Sequence, residues 1–79
     1  MVEKMGFLVV ICEEKDFKQV AERISKNGVK CFADRPFGSL HILHITDGEN
    51  RITRVGSALI GLRNSLPLRI EIVDKDGII

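Results

Sequence analysis

The side chains best placed to do chemistry in this chain lie in TDGENRITR, residues 46–54. A helix beginning near Glu49 presents Gly48, Arg51, Thr53 and Arg54 at its start. Unpaired amides and the positive end of the helix dipole favour an anion there. The same dipole disfavours cations, so two arginines in the first turns point to a phosphate or carboxylate, with the Thr53 hydroxyl as a further donor. The competing reading has Asp47 capping the helix while the arginines extend into water or pair with Glu49 or a neighbouring chain. No P-loop pattern accompanies the cluster.

His41 and His44 are the other candidates for ligand chemistry. On a strand, residues three apart point to opposite faces, so the two cannot chelate one ion together, and no metal or cofactor is expected. Cys12 and Cys31 form no CxxC pair and sit among apolar residues, which suggests buried free thiols in a reducing cytoplasm. Cys12 has Glu13 and Glu14 beside it, and such neighbours raise a thiol pKa rather than activate it. No set of side chains supports nucleophilic catalysis, so the residues favour a non-enzyme.

Composition narrows the classes further. The chain has 79 residues, 29% charged and 44% hydrophobic, which is one domain (1–79) with a small core. A formal net charge of +1 gives no electrostatic footprint for nucleic acid. The four phenylalanines, without Tyr or Trp, make a poor stacking platform for RNA. The longest apolar run, Phe7 to Cys12, is too short to span a bilayer. The opening MVEKMGF lacks the features of a signal peptide.

The elements that must position these residues follow from periodicity. Gly6 to Cys12 is apolar at every position, as in a strand buried on both faces. Phe17, Val20, Ala21 and Ile24 then recur at helical spacing, with acids at the start and Lys26 and Gly28 at the end. Val29, Cys31 and Ala33 alternate with Lys30, Phe32 and Asp34 as a half-exposed strand, which DRPFG should terminate. Leu40 to Ile45 resumes as a strand, ended by TDG. A second helix spans about 49–64, with Ile52, Val55, Leu59, Leu62 and Leu66 on one stripe and Pro67 after it. Gly56 and Gly61 inside that helix suggest close packing. Leu68, Ile70 and Ile72 alternate in a last strand, and DKDGII reads as a turn and an end.

The order β-α-β-β-α-β, with right-handed crossovers, predicts an α+β ferredoxin-like sandwich: a four-stranded antiparallel sheet with two helices on one face. The first and third strands should be central and the second and fourth should form the edges, which fits their apolar patterns. Two helices roof only one side. Either Phe7, Val9 and Ile11 or their alternates must then face away from the helices, and a second chain is the natural cover. At ~25 cal/mol per Å2, burying ~500 Å2 per chain contributes on the order of 12 kcal/mol before association costs. Phe7, Val9, Ile11, Phe32, His41 and Leu43 are the candidate interface of a homodimer or higher oligomer, formed through the open face or by edge pairing.

DRPFGSL, residues 34–40, resembles the Asp-Arg-Pro-Gly-Leu opening motif of ACT domains, ferredoxin-like modules that bind amino acids and regulate enzymes. In that family the motif joins the first strand to the first helix. Here it joins strands two and three, with Phe37 inserted between Pro36 and Gly38. The element order is also similar to that of the oligomeric CutA and nitrogen-regulatory P-II groups. The first forty residues resemble a strand-helix-strand unit in the C-terminal domain of aminoimidazole ribonucleotide synthase relatives. These resemblances imply a fold, an oligomer and a regulatory role. Together the readings give an uncharacterised, cytoplasmic, homo-oligomeric module binding a small anionic metabolite. The alternative is an interaction module docking a partner protein through the open sheet face. No membrane or nucleic-acid partner is expected.

Overall fold

A computed structural model describes residues 4–79, so part of the MVEKMGF reading, residues 1–3, lies outside the described residues. The elements are β1 (Met5–Glu13), α1 (Glu14–Lys26), β2 (Ala33–Phe37), β3 (Leu40–Gly48), α2 (Glu49–Ser65), β4 (Ile70–Asp74) and β5 (Gly77–Ile78). They form an α+β structure: two helices and one antiparallel sheet in the order β2-β3-β1-β4-β5. The sheet has five strands rather than the expected four. DKDGII folds back so that Gly77 and Ile78 pair with β4, which therefore is not an edge.

β1 and β3 are central, as their two-sided apolar pattern requires. Alternate residues divide between two faces. Leu8, Val10 and Cys12 of β1, Leu43 and Ile45 of β3 and Ile70 and Ile72 of β4 are all buried. They share one core with Val20 and Ile24 of α1 and with Ile52, Val55, Leu59 and Leu62 of α2. Both helices therefore pack on the same side of the sheet. The amphipathic stripe of α1 includes an unforeseen member, since Asp16 is also buried, 5% exposed.

Helix ends are fixed largely by backbone. The Glu14 amide donates to the Ser39 carbonyl at 2.8 Å, which docks the β2–β3 turn on the start of α1. The Glu49 amide likewise donates to the Lys4 carbonyl at 2.8 Å. Gly28, at φ 91°, ends α1 in the left-handed region that glycine adopts without strain.

The second strand lies later in the chain than its alternation suggests. Val29 is buried and Cys31 exposed, but neither belongs to a strand, and DRPF forms β2 instead of ending it. All five residues of β2 are exposed, so no apolar period marks it. Phe37 pairs with Leu40 around a two-residue turn in which Gly38 has φ 62°. The pair that closes such a turn is hydrogen-bonded, and the pairs alternate outward from it. Pro36, opposite His41, is therefore at a non-bonded pair, where its missing N–H faces away from the sheet. β3 likewise outlasts its reading and runs through Thr46 and Asp47 to Gly48.

Candidate functional site

The side of the sheet away from the helices carries an apolar strip along β1 with polar and charged residues around it, and neither described helix covers it. Cross-strand register assigns its members, because directly paired residues point the same way. One row runs Arg35, Ile42, Ile11, Glu71 across β2, β3, β1 and β4. The next runs Ala33, His44, Val9, Val73 and on to Ile78 of β5. Beyond it Phe7 stands opposite Thr46 and Met5 opposite Gly48. Phe7 is 48% exposed, Met5 63%, and Ile78 77%, while Val9, Ile11, Ile42 and Val73 are half-buried.

Phe7, Val9 and Ile11 thus lie together on the open face. Leu43 and His41 do not, which corrects the expected interface. Leu43 pairs with Val10 and is fully buried under the helices. His41 pairs with Cys12 on that same covered side. Phe32 lies outside the strands and packs partly buried against the core. Their places on the open face are taken by Ile42 and His44, one residue along β3. The two histidines do face opposite ways.

At the start of α2, Gly48, Arg51 and Thr53 have hydrogen-bond partners within the chain. Asp47 Oδ1 accepts from the Gly48 amide at 2.8 Å and from Arg51 Nη1 at 3.2 Å. Arg51 also lies along Gly28 at the end of α1. The Thr53 hydroxyl donates to the Glu49 carbonyl at 3.0 Å, a helical back-bond that occupies its proton. Gly48 is buried and Arg54 is exposed. With Asp47 and Glu49 both at this helix start, carboxylates already occupy the positive end of the dipole.

A polar cluster missed by sequence reasoning centres on His41. Its ring stacks on Phe17, centroids 4.1 Å apart. Nδ1 meets Asp34 at 2.9 Å and Nε2 meets Glu14. Carboxylates only accept, so both contacts are hydrogen bonds only when both ring nitrogens carry protons. Bonding to Glu14 first, then to Asp34, raises the imidazole pKa above its ordinary value. The bridge ties β2 to the first turn of α1 through β3, beside the Glu14–Ser39 backbone bond. Separations of 27 and 7 residues hid it from any periodic reading.

Cys12 lies next to this cluster. Burial first, then the charges of Asp16, Asp34 and Glu14, push its thiol up to about 11. Roughly one such thiol in ten thousand is ionised at neutral pH, so the environment suppresses nucleophilicity. Asp16 Oδ2 is buried without a hydrogen-bond partner. Both cysteines are free, Cys31 being exposed rather than buried as expected. Among the described residues, no three His, Cys, Asp or Glu side chains are arranged to hold a metal ion, and no helix is long and apolar enough to cross a membrane.

A cleft of about 280 Å3 opens between the start of β1, the outer side of α2 and the chain end. Phe7, Leu8, Ile52 and Ile60 give it apolar walls, and its charged lining is balanced, Lys4 and Lys75 against Glu49 and Asp74. Lys75 sits 3.4 Å from Glu49.

No protein-family model matches the chain, and no curated protein matches it in sequence.

Proposed function

We propose that the chain is a non-enzymatic, ferredoxin-like module that self-assembles through the uncovered face of its sheet. The supporting observation is the continuous apolar surface of Phe7, Val9, Ile11, Ile42 and Val73, which neither described helix covers. The order β2-β3-β1-β4-β5 with two helices on one side supports the ferredoxin-like reading, in which β5 is an addition at one margin. Four strands ~4.8 Å apart and about five residues long give a face of roughly 500 Å2 once side-chain relief is counted. Two such faces bury about 1,000 Å2, the lower bound for a specific interface. Free thiols fit a reducing cytoplasm. Light scattering and sedimentation of the wild-type chain across a dilution series test the proposal. A concentration-dependent mass at least twice that of the chain is expected. A monomer at every concentration refutes it, and capture of a different protein by that monomer supports the docking alternative.

The cleft beside α2 favours a second role, binding a small regulatory ligand. It has room for a short apolar body, with Lys4 to receive an acidic head while Lys75 is engaged by Glu49. Thermal-shift titration with short-chain carboxylates tests this role; no shift with any of them counts against it.

A further inference from the structure

The row Arg35–Ile42–Ile11–Glu71 carries one basic end, one acidic end and an apolar middle. Among the described residues, neither Arg35 nor Glu71 has a side-chain hydrogen bond or ion pair. Resting on the self-assembly reading, we propose that the second copy packs face to face about a two-fold axis parallel to the strands, between β3 and β1. Each Arg35 then meets Glu71 of the other copy.

The charge row selects that axis. For two sheets to pack face to face by a two-fold, the axis must lie in the interface plane. An axis along the row sets Arg35 over Arg35 and Glu71 over Glu71, and like charges across an interface are repulsive. An axis along the strands exchanges the two ends of each row. Arg35 then lies over Glu71 and Ile42 over Ile11. In the neighbouring rows His44 lies over Val9 and Thr46 over Phe7, a polar side chain of β3 facing an apolar one of β1 in each. The arrangement is self-complementary, as an isologous interface requires.

The distances are compatible. Arg35 and Glu71 are each one and a half strand spacings from the axis, about 7 Å. Aligned sheets twist by about 30° relative to each other, which displaces the ends of a row by about 4 Å. A long arginine side chain absorbs that displacement, and the rim position keeps the pair partly in water.

The test is a charge swap in the full chain, read by sedimentation equilibrium in low salt. Arg35→Glu and Glu71→Arg should each weaken the dimer about tenfold or more by creating two like-charge contacts, while leaving the circular dichroism spectrum unchanged, since both residues are exposed. The double variant Arg35→Glu/Glu71→Arg should recover wild-type affinity to within about threefold. If the single variants assemble as the wild type does, or the double variant fails to recover, the axis is wrong while self-assembly stands. A wild-type chain that never associates overturns both.

Discussion

Ile11 is the most informative position on the open face. It is half-buried in the isolated chain, in register with Ile42 on one side and Glu71 on the other. Full burial of an isoleucine side chain is worth about 1.5–3 kcal/mol, so covering its remaining half contributes about 1 kcal/mol per copy. Ile11→Asp removes that from two copies. It also brings two carboxylates into a desolvated centre beside Glu71, at several kcal/mol each. A combined loss of at least about 5 kcal/mol weakens dimerisation by more than a thousandfold. The isolated fold loses about 1 kcal/mol of strand preference and about 1 kcal/mol of packing, which a domain of ordinary stability survives. Sedimentation velocity should show a monomer with wild-type secondary structure. Ile11→Thr, which keeps the β-branch, should give an intermediate affinity and guards against misfolding as the cause. Unchanged assembly in Ile11→Asp would mean that this face is not the interface.

His41 should make stability depend on pH. Its folded pKa is raised, so its contribution is complete below the ordinary imidazole value of about 6.5 and fades as pH rises through the raised value. The melting temperature of the wild type should therefore fall across that window, and His41→Gln should flatten the fall. An identical slope in the variant would remove the bridge from the account. In the cleft, Gly56→Leu should raise the melting temperature through helix preference, worth up to about 1 kcal/mol, and fill the space against Leu8. Any thermal shift from carboxylates should vanish in that variant, and a shift that persists would place the ligand elsewhere.

Much of the fold was legible because hydrophobic period and topology agree. β1 and β3 are apolar on both sides and central, and both helices fall where their stripes put them. Register was not legible. Leu43 and His41 were grouped with Phe7, Val9 and Ile11, yet pairing sets Leu43 beside Val10, and a shift of one residue moves a side chain to the other face. β2 was misplaced because a wholly exposed strand has no apolar period, whereas Val29, Cys31 and Ala33 imitate one. Two-residue β5 is too short for any pattern. Asp16 carries no apolar signal, yet its position on α1 turns it inward with Val20 and Ile24. The arginines of α2 stand out because cations at a helix start oppose the dipole, and that pattern does not show that Arg51 pairs with Asp47. The His41 bridge joins three elements through contacts between residues distant in sequence, and no local pattern marks them.

Pro36 also bears on how large an assembly becomes. The outermost ladder position it occupies has no hydrogen to offer a visiting chain, and the opposite margin of the sheet ends in a strand of two residues. Neither flank makes a good template for sideways addition of further strands. Growth into ribbons or fibrils is thereby discouraged, and association is directed to the broad surface, where a two-fold pair closes on itself and stops.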